Sequence, residues 1–232
     1  MIIGQMQSYF LPYIGYWQLI NAVDTFVLFD NIQFRKKGWI HRNNILLNSE
    51  KKLFSLPLKR DSYKLNISDR YLSNDSSDIA QIIAQIKFGY KKAPYFSQVF
   101  PIIQDIFLYD EKNLFTYILY SIKKINEYLN INTKIIISSD LNIDNNLKSQ
   151  DIVIAVNKKL NSSIYINPIG GTELYSKKTM QENGIKLFFL ESNIMEYKQF
   201  KNKFISHLSI IDIMMFNSKD EIKNMLGEYK LI

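Results

Sequence analysis

Met1-Ile2-Ile3-Gly4-Gln5-Met6, then Gln7-Ser8-Tyr9-Phe10-Leu11-Pro12, then Tyr13 to Val23, then Thr25-Phe26-Val27-Leu28-Phe29 closed by Asp30, decide the fold. The first phrase reads as a short buried strand, because Ile2 and Ile3 open the chain with no polar preamble. The second is a loop, since Pro12 lacks an N–H and fits neither a central strand nor a helix interior. The third carries a helix. Thr25–Phe29 is a continuous apolar run between Asp24 and Asp30, which suits a strand buried on both faces better than an alternating one. Strand, helix and strand within so short a span form a βαβ unit with a right-handed crossover, so the two strands are parallel.

Working outward, Gly38-Trp39-Ile40 turns the chain into a strand near Ile40–Leu47. This strand pairs with Lys52–Leu58 through Asn48-Ser49-Glu50. Lys59–Arg70 reads as irregular, and Ser73–Asp78 as a loop leading to a helix N-cap. Helical spacing follows at Asp78–Phe88, Pro94–Tyr109 and Lys112–Tyr128, the last strongly amphipathic. Lys134–Ser138 is a strand, Leu147–Leu160 a helix and Ile164–Ile166 a short strand. Asn167-Pro168-Ile169-Gly170-Gly171 then makes a turn. Met180–Asn183 is a helical piece stopped by Gly184, Ile185–Leu190 a strand, and Ile205–Leu226 mostly helical. The alternation predicts an α/β, Rossmann-like parallel sheet with helices on both faces. One domain over 1–232 is expected, with residues 38–130 as a hairpin and mainly helical insertion.

Composition narrows the chemistry. The 232 residues include no cysteine and two histidines, which removes disulfides, thiol nucleophiles and Cys-ligated zinc. A transition-metal site, usually wanting about three or four side-chain ligands, has little to draw on. A Ser–His–Asp triad would have to use His41 or His207. The 29 Lys+Arg against 22 Asp+Glu leave a net charge of +7, but the Lys residues are scattered among Asn and Ile. That pattern favours solvated lysines, then a phosphate-bearing small substrate, and extended nucleic acid last. The N-terminus lacks the pattern of a signal peptide, and no run approaches the ~20 apolar residues of a bilayer span. A cytoplasmic protein is the expectation.

Two stretches carry candidate chemistry. The Gln/Tyr/Pro-rich segment 5–17 lies at the C-terminal end of the first strand, where open α/β sheets bind ligands. The following helix N-terminus offers free N–H groups to a phosphate or carboxylate. Gln5, Gln7, Tyr9, Tyr13 and Tyr16 are its candidates, the aromatics doubling as packing residues. The second stretch begins at Asp30 on the same edge and runs through Gln33, Arg35, Lys36, Lys37, Trp39, His41, Arg42 and Asn43. Arg pairs bidentately with phosphate and Lys adds a point charge, so this segment is either a ligand edge or a solvated hairpin. Asn167–Thr172 is a bare turn with a phosphate cradle as its alternative. Ser206 or Ser209 reads as an N-cap and His207 as a surface helix residue. Asp212, among Ile210, Ile211, Ile213 and Met214, must be hydrogen-bonded or paired, as a structural partner or a site residue.

Tyr9–Ile20, Asp30, Gln33-Phe34, Gly38-Trp39-Ile40 and Arg42-Asn43 together resemble the WbqC-like family. The likeness recurs in Tyr90–Phe96, Ser138-Ser139 and Leu208–Asp212. Ser8, Asn31 and His41 depart from the family's usual Pro, Asp and Asn. The resemblance implies a product of bacterial surface-polysaccharide (O-antigen) gene clusters. The activity it suggests is transfer of glycine or another amino acid to an amino sugar. On that reading Asp30 or His41 accepts the amine proton, and Gln7, Asn43 and backbone N–H groups stabilise the oxyanion. Lys36, Lys37 and Arg42 hold the diphosphate of a nucleotide-linked amino sugar. The acyl group would come from a free amino acid activated by ATP, from an acyl carrier thioester or from an aminoacyl-tRNA. The layout of strand, Pro loop, Gly15, helix and strand ending in Asp also matches the HUP-type variant of the fold, without its phosphate-binding histidines. An ATP-dependent amide ligase is therefore a further alternative. A non-catalytic module that presents a sugar nucleotide or an acyl carrier protein to a transferase is another.

Overall fold

The computed structural model describes residues 1–62, 64–75, 77–144, 146–147, 149–201 and 203–232. Its opening βαβ unit comprises β1 (Ile2–Gln7), α1 (Ile14–Asn21) and β2 (Thr25–Phe29), with β1 and β2 parallel from Ile3↔Thr25 to Gln7↔Phe29. Next come the hairpin β3 (Arg42–Leu47) and β4 (Glu50–Ser55), then α2 (Ser77–Tyr90), α3 (Phe96–Phe107) and α4 (Leu114–Leu129). The chain returns through β5 (Lys134–Ile137), α5 (Gln150–Lys159), β6 (Ile164–Pro168), α6 (Lys177–Glu182) and β7 (Lys186–Ser192). It ends with α7 (Ile210–Phe216), α8 (Lys219–Leu226) and β8 (Tyr229–Leu231).

The main sheet runs β5-β2-β1-β6-β7-β8, parallel except for the antiparallel β8. This is the Rossmann-like arrangement: the chain builds outward from β1 through β2 to β5, then restarts on the other side with β6. Strand order therefore reverses between β1 and β6, and the strand ends part there to leave a crevice. Side-chain alternation separates the two faces. Phe26 and Leu28 join α1, α4, α7, α8 and the inserted elements in one apolar cluster. Ile3, Val27, Tyr165 and Leu187 meet Val153, Val156 and Met180 of α5 and α6 in another. The inserted elements thus share a core with one face of the sheet.

Two close approaches fix the insertion. Asn48 and Ser49, with φ of 51° and 65°, form a two-residue turn of the type that matches strand twist, so β4 starts at Glu50 rather than Lys52. A Cβ on Gly89 would lie 2.8 Å from the Leu46 carbonyl oxygen, so its absence lets α2 lie against β3. The Tyr90 hydroxyl then reaches the Leu46 amide at 2.8 Å.

Element ends differ from the sequence reading where tertiary contacts set them. Residues 205–209 precede α7 as a loop, and His207 sits there at φ 59° rather than on a helix. Ser209 is the N-cap. Two short helices replace the single helical tail, and β8 is an unforeseen strand, held to β7 by pairs such as Leu190↔Leu231. The predicted turn at Asn167 starts later, because β6 continues to Pro168 beside β7. The predicted segments Lys59–Arg70, Ser73–Asp78 and Leu147–Leu160 each include a residue outside the described ones. Among the described residues no helix is long and apolar enough to cross a membrane.

Candidate functional site

The loop that leaves β1 is built around its carbonyls. Leu11, at φ 45°, exposes an oxygen that accepts from Asn43 Nδ2 at 2.8 Å and from the Ser209 hydroxyl at 2.7 Å. The Pro12 oxygen accepts from Trp17 Nε1 and the Ile210 amide, each at 3.0 Å. The Tyr16 hydroxyl donates to the Gln7 carbonyl at 2.8 Å, and the Ser8 hydroxyl to Phe29 O at 2.6 Å. Asn43 and Tyr16, candidate substrate residues in the sequence, donate to backbone carbonyls of this segment, Asn43 to the left-handed Leu11 and Tyr16 to Gln7. Gly15 has a similarly local role. A Cβ there would meet the Tyr13 ring at 2.5 Å, so Tyr13 itself covers the start of α1, where a HUP-type phosphate was expected. Tyr13 faces a narrow recess shared with His207, their rings 5.8 Å apart.

With that loop pinned, a cleft of about 440 Å³ opens where the strand order reverses. Gln5, Met6 and Gln7 of β1, Tyr9, Asn167 at the end of β6, Gly171 and Tyr175 are among its walls. Ser149, Ile152 and Val153 bring the first turn of α5 to it, so the helix N-terminus at this crevice is that of α5 rather than α1. Gln5 is 2% exposed, and its Oε1 has no hydrogen-bond partner. Its Nε2 makes only a long 3.4 Å contact with Val153 O. Asn167 is oriented by the Tyr165 hydroxyl at 2.7 Å and by Pro168 O at 3.1 Å. Gly171 makes room for it, since a Cβ would fall 1.9 Å from Asn167 Nδ2. The Tyr9 hydroxyl lies 3.3 Å from Gln7 Oε1. Burial raises the pKa of Tyr9, with Tyr13 adding to it and Arg35 opposing, and burial raises Tyr175 as well. Both phenols are proton donors at neutral pH. Among the described residues lining this cleft none carries a formal charge.

The basic segment is elsewhere. Asp30, 6% exposed, accepts the Ser138 hydroxyl at 2.7 Å and the Ser139 amide at 3.1 Å, tying the end of β2 to the end of β5. It is not among the cleft residues. Arg42 donates to the carbonyls of Gly38, at 2.9 Å, and Lys37, and its guanidinium lies 5.7 Å from the Trp39 ring. It therefore shapes the turn that carries the exposed Lys36 and Lys37. Gln33 bridges to Asn66 as an isolated antiparallel pair. His41 lines a second cavity with Phe34, Lys36, Lys59, Arg60 and Arg70. Burial and the Arg42 and Arg70 cations lower its pKa to about 4, so the ring is neutral near pH 7.

Asp212 is fully buried and belongs to neither cavity. It accepts from the hydroxyls of Tyr90 (2.8 Å) and Tyr197 (2.6 Å) and from Gln199 Nε2 (2.6 Å). Gln199 in turn exchanges hydrogen bonds with the backbone of Ile205. The carboxyl thus ties α7 to α2 and the 197–205 segment. Burial raises its pKa, partly offset by those three donors.

Of the sequence-predicted residues, the structure brings Gln5, Gln7 and Tyr9 together and separates them from His41, Lys36, Lys37, Arg42 and Asp212. Asn167, Gly171 and Tyr175 complete the cleft. The Asn-Pro-x-Gly-Gly turn after a strand pointed to that region, but only the strand order shows that β6 adjoins β1. Among the described residues no group of three or more His, Asp or Glu is arranged to hold a metal ion.

The family model described as the WbqC-like protein family matches residues 7–224. A Mycobacterium tuberculosis protein, the uncharacterized Rv1507c, is 23% identical over 225 residues, covering 95% of each chain. No solved structure matches.

Proposed function

The chain belongs to the WbqC-like protein family, and we propose that it transfers an acyl group, aminoacyl and in particular glycyl, to the amino group of a nucleotide-linked amino sugar. The observation that carries this reading is the uncharged cleft between β1 and β6, with the buried, unpartnered Oε1 of Gln5 on its wall. A pocket lined by side-chain amides and protonated phenols suits the hydroxyls and amine of a sugar, which both donate and accept.

The same environment supports a route for the proton. A cleft without ionised side chains offers an ammonium no counter-charge and so favours the sugar amine as the free base. Its nitrogen attacks the acyl carbonyl carbon, the C–N bond forms, and the carbonyl electrons move to an oxyanion. Gln7 and Asn167, which both line the cleft, would supply amide N–H groups to that charge. As the oxyanion collapses, the bond to the leaving group breaks, and the leaving thiolate or phosphate takes the proton lost by nitrogen. No side-chain base is required, which accords with Asp30 being engaged by Ser138 and Ser139.

A second reading is favoured by one feature: no ionised side chain lines the cleft among the described residues. The chain would then bind the sugar nucleotide and present it to a separate transferase. Both readings meet one experiment. A ligand that binds the folded state raises the thermal midpoint, so UDP-linked amino sugars are screened by thermal shift. Those that bind are incubated with glycyl thioester, with glycine plus ATP, and with glycyl-tRNA, followed by mass spectrometry. A product heavier by one glycyl group supports transfer, and stabilisation without product in all arms supports the binding module. No stabilisation by any amino-sugar nucleotide overturns both.

A further inference from the structure

The second cavity, about 310 Å³, has Lys36, His41, Lys59, Arg60, Asp61 and Arg70 among its walls. Arg70 is 6% exposed, yet no carboxylate pairs with its guanidinium among the described residues. Two of its nitrogens are occupied, Nη1 by Ser62 O and Nη2 by Lys59 O, each at 3.1 Å. The group also sits 4.8 Å from the Phe34 ring. Its Nε is buried without a partner, and so is Nδ1 of His41 on the same wall. Leaving such polar atoms dry and unpaired costs about 1–3 kcal/mol each, more for a charged group. Among the described residues, four cationic side chains thus face this cavity against the carboxylate of Asp61, because His41 is neutral near pH 7.

We propose that this cavity is a phosphate site. Arg70 Nε and His41 Nδ1 would donate from the buried wall, while Lys36, Lys59 and Arg60 would close on the anion from the exposed rim. A phosphate fits better than a carboxylate because it brings two negative charges and several acceptor oxygens to an uncompensated cationic pocket. Arg70 also holds the backbone at Lys59 and Ser62, so the guanidinium sets the shape of the loop that carries the rim cations. The phosphate has two possible sources. Ile32 lines the neutral cleft and Phe34 this cavity, so two residues of one segment, spanning at most about 7 Å, separate their walls. One ligand can therefore reach both through its diphosphate. A phosphate monoester on a separate acyl donor, such as a 4′-phosphopantetheine thioester, can use this cavity alone.

Isothermal titration of the full chain with inorganic pyrophosphate tests the site without reference to the cleft. Saturable binding in the sub-millimolar range, about 0.1–1 mM, is expected. It should weaken about tenfold or more in the rim variant Lys36→Ala/Arg60→Ala and in Arg70→Lys. The rim residues are exposed, so that variant keeps the test valid if Arg70→Lys fails to fold. Absence of pyrophosphate binding overturns the proposal, as does equal binding by the rim variant. Two further titrations, with a UDP-linked amino sugar and with 4′-phosphopantetheine, identify the source by which one the rim variant weakens. Failure of the sugar nucleotide alone would remove the cleft reading and leave the phosphate site standing.

Discussion

Gln5 and Asp212 are both polar, both essentially buried, and opposite in what their surroundings do for them. Asp212 has three donors on its two oxygens and lies inside a closed network of Tyr90, Tyr197 and Gln199. Gln5 has an orphaned oxygen and a long contact on its nitrogen, and it belongs to the wall of the cleft. Burial with every valence filled marks a group that holds the fold. Burial with a valence left open beside a cavity marks a group that awaits something else.

If Asp212 is structural, the largest effect among these variants belongs to Asp212→Ala. It strands two phenols and an amide, so a loss of about 3–5 kcal/mol is expected, read as the shift in urea midpoint at unchanged slope. The pH dependence carries its own sign. Burial raises the folded pKa above the unfolded value of about 3.9, so the native state keeps its proton longer than the unfolded chain does. This group's contribution is therefore greatest at low pH and declines as pH climbs from ~4 through its raised native value. Asp212→Asn should flatten that part of the stability curve; an unchanged profile would show that Asp212 is not its source.

Asp30 comes next. Asp30→Ala removes the acceptor shared by Ser138 and Ser139 and should cost about 1–3 kcal/mol, while Asp30→Asn keeps an oxygen there and should cost well under that. With a turnover assay in hand, Asp30→Asn should leave the rate within a few-fold. A loss of about a thousandfold would restore Asp30 as the general base. On the cleft side, Gly171→Ala drives a methyl into Asn167 Nδ2, whereas a Cβ on Gly170 meets nothing within 4 Å. Sugar-nucleotide affinity should fall about tenfold in the first and stay level in the second. Equal behaviour of the two would detach Asn167 from the ligand.

The sequence carried the first half of the sheet plainly, because β2 is an uninterrupted apolar run between two aspartates and Pro12 isolates the loop before α1. It also named Gln5, Gln7 and Tyr9, which follow from the strand end alone. It gave other neighbours to the basic segment: Arg42 is spent on carbonyls of its own turn and Asn43 on the Leu11 carbonyl of a distant loop, and only the folded chain shows which donors are spent. Tyr13 defeated the expected use of the α1 N-terminus because a ring folding back over Gly15 leaves no trace in spacing. The turn at Asn167–Thr172 was visible only as a cradle without neighbours, and Tyr175 and Arg70 were out of reach, since their meaning depends on the order of strands and on which loops share a cavity.

The central claim is that Gln5 is kept for a ligand rather than for the fold, and the Gln5→Leu variant tests it most directly when stability and binding are measured on one sample. Leucine removes the orphaned oxygen at similar size, so stability should stay within about 0.5 kcal/mol of the parent or rise. The thermal shift given by the amino-sugar nucleotide should meanwhile collapse. A fall in stability like that of Asp212→Ala, with the ligand response intact, would contradict the account.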